Sequence, residues 1–342
     1  MTANSDDLDR RDALKLIAGG LGLAAVLVAC AARGAAARAI LQDPPARDLQ
    51  AVPNELYLAD SSLHIINVYK IEAAVLRDSQ GRSQAEILDR LAREVYAPYS
   101  TFWRGYLGDE ATFRKWAESS LLARSHPIHT RVAALVRLNL DSLFTAGAAW
   151  VSHNTGHRPH GTWYIVFGPG WTDMGGFADG TMLADFTKME PERDALEFKF
   201  PHEFTHMAGA SAAARRDADS GTVLAGIISE GVASYATYVY AAGRLARAQS
   251  IGYTEPEWTW ALAHEGDLIA AAKPYLGSRV KADDDRLRAR NQRLLVGGPT
   301  AVAYFLGFRI IEAYAAHHGA ASWIDAMDLP AREVLARSGY RF

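Results

Sequence analysis

The sequence is poor in cysteine: Cys30 is the only one among 342 residues. An intrachain disulfide is therefore excluded, and so is a metal site built on paired cysteines. Any metal in this chain has to be held by histidine and carboxylate side chains. An excess of positive charge is also missing. With 36 Lys and Arg against 39 Asp and Glu, the formal net charge is -3. No basic patch is dense enough to track phosphates, which argues against nucleic acid as a partner. The chain has no internal repeat, and no apolar run as long as the roughly 20 residues that a membrane-spanning helix needs.

What is present begins at the N-terminus. Arg10-Arg11 precedes an apolar run that ends at Ala29. Twin arginines ahead of a hydrophobic segment resemble a bacterial twin-arginine export signal. The run closes as Leu27-Val28-Ala29-Cys30, which resembles a lipobox, the motif whose cysteine becomes the lipidated first residue of the mature protein. The expected layout is an export signal at 1–29, a lipid-anchored tether at 30–55 rich in Ala, Arg and Pro, and one folded domain at 56–342. This puts the body in the bacterial cell envelope, facing the periplasm or the exterior, with the membrane reached through the lipid on Cys30. An uncleaved anchor and a cleaved, unlipidated signal are the alternatives, and both also place the body outside the cytoplasm. The intact mass of the membrane-extracted protein separates the three. Acyl groups on an N-terminal Cys30 are expected, and an unmodified Cys30 on a soluble product would refute the lipid anchor.

Apolar periodicity predicts helices over 83–122, interrupted at Pro98 and Gly108, and over 130–150, 201–210, 222–242, 258–272 and 300–318. Trp163-Tyr164-Ile165-Val166-Phe167 between glycines is a strand signal. Residues 168–176 read as a Gly-rich turn region and 181–186 as a second strand. The mixed-charge segment 281–293 reads as a solvated helix face or loop. The expected class is α+β, mainly helical, with a small sheet just before the helix that carries the following motif.

That motif is His202-Glu203-Phe204-Thr205-His206, an HExxH. Residues four apart share one face of a helix, so both imidazoles can reach a single ion. Zinc takes nitrogen ligands at about 2.0–2.1 Å, and a catalytic site keeps one position for water. Glu203 stands beside His202 and can act on that water without binding the metal. The alternative is a helix whose two histidines only pack or face solvent. Pro201 costs about 3 kcal/mol in a helix interior but is tolerated in a first turn. The motif helix is therefore expected to begin or kink at Phe200-Pro201.

Downstream, Ile228-Ser229-Glu230-Gly231-Val232-Ala233-Ser234-Tyr235 lies inside a helical apolar run. A lone glutamate there is expensive to bury without a partner. Gly231 and Ala233 are small enough to let this helix come close to the motif helix. The segment resembles the glutamate helix of the gluzincin metallopeptidases, whose third zinc ligand is a carboxylate in a helix after HExxH. The resemblance implies His202, His206 and Glu230 as ligands of one Zn2+, with Glu203 as general base. Residues 298–310, Gly-Pro-Thr-Ala-Val-Ala-Tyr-Phe-Leu-Gly-Phe-Arg-Ile, and Gly175-Gly176-Phe177 resemble segments of a family of predicted zinc-dependent proteases within that group. The likeness runs over about residues 96–318. It implies a zincin-like fold and hydrolysis of a peptide or protein substrate, but no particular substrate. Gluzincins also use a Tyr or His downstream of the glutamate helix to stabilise the oxyanion. By position Tyr304 is that second catalytic residue, ahead of Tyr235 and Tyr314, with a core tyrosine bonded to a backbone carbonyl as the alternative. Peptidases of this kind read extended peptides at a sheet edge, which makes 175–186 the expected substrate-binding strand.

A second histidine cluster, His153, His157 and His160, contains Gly156 and Pro159, which interrupt any helix. It reads as a polar loop, with a metal or substrate role as the alternatives. Two further functions remain open for the chain: a non-catalytic zinc-binding envelope lipoprotein, and a zinc hydrolase of another amide or ester. The intact Glu203 favours a peptidase over a structural site, since a structural zinc has no use for a base.

Overall fold

The computed structural model describes residues 49–342 apart from 61, 80, 178–179 and 214–218. The expected export signal, Cys30 and the expected tether as far as residue 48 lie outside the described residues. β1 (Glu55–Leu58) and β2 (Leu63–Ile66) pair antiparallel. The chain then runs through α1 (Val68–Arg77), several short helices, α2 (Ser125–Leu138) and α3 (Leu140–Thr155). It returns as β3 (Gly161–Val166), parallel to β2. β4 (Met174–Gly176) and β5 (Thr181–Asp185) complete a five-stranded sheet in the order β1-β2-β3-β5-β4. β3 and β5 are parallel, and β4 lies antiparallel at the end. Helices make up the rest, chiefly α4 (Arg193–Ala213), α5 (Val223–Ala241), α6 (Lys281–Arg288) and α7 (Val302–His318). The fold is α+β and mainly helical, with the small sheet ahead of the motif helix, as the periodicity indicates.

Several local features differ from the sequence expectation: the helix expected over 258–272 is broken at His264, and β4 lies within the stretch read as a Gly-rich turn. β1 and β2 are additional strands. The helix expected over 130–150 is two, broken at Asn139, whose φ of 52° is a left-handed conformation that asparagine tolerates. The motif helix α4 starts at Arg193, so Pro201 is in its interior. The reason is packing. Leu196, Phe200 and Phe204 are fully buried. Phe200 stacks on Phe144 at 4.2 Å, and both Phe200 and Phe204 meet Trp163 of β3. Burying one such side chain contributes about 1.5–3 kcal/mol. Leu196 and Phe200 both precede the proline, so together they outweigh its cost of about 3 kcal/mol.

α5 and α7 touch backbone to backbone. A Cβ on Gly231 would lie 2.3 Å from the Gly307 carbonyl oxygen, and one on Gly307 would lie 2.1 Å from the Ile227 carbonyl oxygen. Gly231 therefore serves the contact of the glutamate helix with α7, where the sequence suggested the motif helix, and this close approach brings Tyr304, one turn before Gly307, near Glu230.

Two buried carboxyls organise the end of the sheet. Asp185 accepts the N–H groups of Gly168, Gly170 and Thr187 and the Tyr106 hydroxyl, which fastens the Gly-rich turn to β5. Glu72 of α1 accepts the Phe167 N–H through Oε2, while its buried Oε1 has no partner among the described residues. Burial, only partly offset by that N–H, pushes the Glu72 carboxyl well above its usual range, and Asp185 adds to the shift. The folded state thus holds this proton more tightly than the unfolded chain. Stability contributed by the neutral form is complete below the unfolded carboxyl pKa and is lost as pH rises toward the raised folded value. Glu72→Gln keeps the neutral shape. It is expected to leave stability nearly unchanged at about pH 3 and to raise it at about pH 8, on either side of the ordinary carboxyl pKa. Thermal unfolding at both pH values checks this, and an equal shift at the two would show that Glu72 is not the titrating group.

Candidate metal centre

The two faces of α4 have separate duties. Phe200, Phe204 and Met207 pack into the core. His202, Glu203 and His206 lie on the other side, against α5 and α7. His206 Nε2 stands 3.1 Å from His202 Nε2 and 3.2 Å from Glu230 Oε2. His202 Nε2 lies 3.4 Å from the same carboxylate oxygen. Among the described residues, His202, His206 and Glu230 form the one group of His, Cys, Asp or Glu that could hold a metal. A tetrahedral ion with bonds of about 2.0–2.1 Å sets its ligand atoms about 3.3–3.4 Å apart, the edge of a tetrahedron being about 1.63 times its centre-to-corner distance. The observed triangle has that size, and two imidazoles plus one carboxylate suit zinc.

Neighbouring groups orient these donors. His206 Nδ1 lies 3.0 Å from Ser229 Oγ. A proton shared there leaves the Nε2 lone pair facing the centre of the triangle. His202 Nδ1 is buried without a partner among the described residues. Glu230 Oε1 lies 3.4 Å from Arg288 Nη1. Burial would raise the Glu230 carboxyl, but the charges and hydrogen bonds of His206 and His202 outweigh it and hold it well below the usual range.

Glu203 is buried and accepts no hydrogen bond from the described residues. Burial pushes its carboxyl up. His202 and His206 pull it back in part, and Glu230 and Asp173 push it further up. One turn earlier on α4, Lys199 forms a buried ion pair with Asp173 at 3.1 Å. This fastens the start of β4 to the motif helix.

Tyr304, in the first turn of α7, is 5% exposed, and its ring lies 6.3 Å from that of His202 with the planes 18° apart. The Arg290 guanidinium sits 4.9 Å from the centre of the same ring. The Tyr304 hydroxyl has no hydrogen-bond partner among the described residues, so the carbonyl bond of a core tyrosine is absent there. Burial raises its pKa, which keeps it a donor. Tyr235 packs on Phe308 and Trp323, and Tyr314 on His318.

Two expectations are corrected here. The charged segment 281–293 is not simply a solvated face: Arg288 reaches Glu230, and Arg290 covers Tyr304. Within 175–186, β5 is flanked on both sides by β3 and β4, so no peptide can add to it; the end strand is β4. The second histidine cluster does not assemble. His153 lies in the last turn of α3, His157 pairs with Asp328 at 3.0 Å, and His160 Nδ1 is buried without a partner among the described residues. Sequence reasoning missed Lys199, Asp173, Ser229 and Arg288. Lys199, between Phe198 and Phe200 and one turn before His202 and Glu203, and Ser229, next to Glu230, were the visible signals.

A family model described as "Predicted Zn-dependent protease (DUF2268)" matches residues 164–336, from β3 through the motif helix, the glutamate helix and α7. No curated protein and no solved structure matches the chain.

Proposed function

This chain belongs to the family of predicted Zn-dependent proteases, and from that premise we propose that it is a zinc-dependent peptidase. The triangle of His202 Nε2, His206 Nε2 and Glu230 Oε2 carries the proposal, since its sides of 3.1 to 3.4 Å suit one tetrahedral ion. Zinc bound there supplies a Lewis acid that acidifies a water and polarises a carbonyl. His202, His206 and Glu230 would hold the ion. Glu203 takes a proton from the water as its oxygen attacks the peptide carbonyl, and then passes that proton to the departing amine nitrogen. Its carboxylate has no hydrogen bond from the described residues to give up before doing so. Tyr304 donates its hydroxyl to the carbonyl oxygen as that oxygen gains charge. The substrate backbone pairs along the outer edge of β4, which the Asp173–Lys199 pair holds against α4.

A peptide-library digest with the zinc-loaded full-length chain tests this. Cleavage is expected with zinc, none after chelation, and recovery on adding zinc back. An intact library in the presence of protein carrying one zinc per chain would remove the peptidase assignment. A peptide-like inhibitor bound away from β4 would remove the strand-pairing part alone.

A further inference from the structure

We infer that Arg288 is a positioning residue for the metal site: it holds one oxygen of Glu230 so that the other faces the two histidines. The inference rests on the zinc assignment above and adds the device that orients the third ligand. The two oxygens of Glu230 have different surroundings. Oε2 lies 3.2 Å and 3.4 Å from the Nε2 atoms of His206 and His202. Oε1 lies 3.4 Å from Arg288 Nη1. A carboxylate can bind a metal through either oxygen or through both. With Oε1 engaged by the guanidinium, Oε2 is the oxygen committed to the ion.

The guanidinium is itself held. Asp284, one turn earlier on α6, accepts from Arg288 Nε at 2.9 Å and from Nη2 through the same oxygen. One edge of the planar fork is thus spent on Asp284, and Nη1 is left for Glu230. α6 reaches this position because it seats on α5 at Gly226, one turn before Glu230. A Cβ on Gly226 would lie 3.2 Å from Asp284 Oδ1 and 3.8 Å from Arg288 Nε. The first turn of α5 is also tied to the segment leading into α6. The Val223 and Leu224 N–H groups donate to the carbonyls of Ser278 and Leu276.

Charge explains why the arginine comes with an aspartate. A lone cation beside Glu230 would repel a divalent ion. Asp284 cancels that charge, so the pair orients the ligand at little electrostatic cost. Arginine suits the task because its fork can serve two acceptors in fixed directions, which a lysine cannot.

The test uses the metal-free full-length chain, titrated with zinc against a chromophoric chelator, followed by the absorption spectrum of the cobalt-substituted protein. Wild type and His202→Ala set the scale. If wild type binds no zinc that His202→Ala loses, the zinc assignment fails, whatever Arg288 does. If wild type binds, Arg288→Met is expected to weaken zinc about 10- to 100-fold, the usual range for a group that orients a ligand, and to alter the cobalt bands. Arg288→Lys should not restore either. Asp284→Asn should also weaken zinc, by freeing the arginine charge. The double variant Asp284→Asn with Arg288→Met should be no weaker than Arg288→Met alone. Should Arg288→Met fail to fold, seen as lost circular dichroism in the metal-free protein, Arg288→Lys and Asp284→Asn carry the same comparison. Unchanged zinc affinity and unchanged cobalt bands in these variants overturn the inference. So does a rise in KM with zinc affinity unchanged, which would make Arg288 a substrate contact.

Discussion

Glu203→Gln is expected to bind zinc as tightly as the wild type and to lower kcat by about 10²–10⁴-fold, the range that a positioned general base contributes. The substitution keeps the shape of the side chain and removes its capacity to take a proton. Zinc should stay because Glu203 is not part of the cluster formed by His202, His206 and Glu230. Turnover should fall because, among the described residues, no other carboxylate is placed to replace it. Glu230 is committed to the histidines, and Asp173 is paired with Lys199. Burial already favours a basic Glu203, and it has no donor among the described residues to release first. The contrast is with His202→Ala, which should lose the metal and the activity together. Metal content and kcat measured on both variants decide the matter. Glu203→Gln with wild-type kcat would remove the base, and Glu203→Gln with zinc lost as in His202→Ala would make Glu203 a ligand.

The parts of this molecule that were legible in the sequence are those encoded locally. HExxH carries its own geometry, because four residues along a helix return to the same face. Glu230 stood out because an apolar run seldom contains an unpaired acid. The fold class followed from period and from one aromatic, β-branched strand. The misses have physical causes. β1 and β2 are four residues each, too short for alternation to show, and β2 is buried between its neighbours at Leu63, Ile65 and Ile66. Pro201 pointed to a helix start or a kink because local cost was visible and the tertiary gain at Leu196 and Phe200 was not. Arg288 was hidden for a related reason. An Asp and an Arg four apart on a charged helix look the same whether they face water or a Gly226 on another helix. Residues 1–48, on which the expected localisation rests, lie outside the described residues.

Tyr304→Phe is expected to lower kcat by about 10²–10³-fold, equivalent to about 2.7–4 kcal/mol for one lost oxyanion donor. Water attack turns a planar carbonyl into a tetrahedral centre and puts negative charge on its oxygen. A donor already aimed at that oxygen lowers the barrier without reorganising. Tyr304 meets the structural requirements. Its ring lies beside His202, its position is fixed by the close approach of α5 and α7 at Gly231 and Gly307, and its hydroxyl is not used elsewhere among the described residues. Burial raises its pKa, with the Glu230 charge acting in the same direction, so the phenol keeps its proton as pH rises through neutrality. Phenylalanine retains the contact with His202 and the Arg290 guanidinium over the ring. Zinc affinity and thermal stability should therefore be nearly unchanged. KM should also change little, because the donor acts where charge develops and not on the neutral carbonyl of the bound substrate. Steady-state kinetics with a cleavable peptide, alongside a zinc titration, separate the possibilities. An unchanged kcat would return Tyr304 to a packing role, and a loss of zinc would place its effect on the metal ligands instead of the transition state.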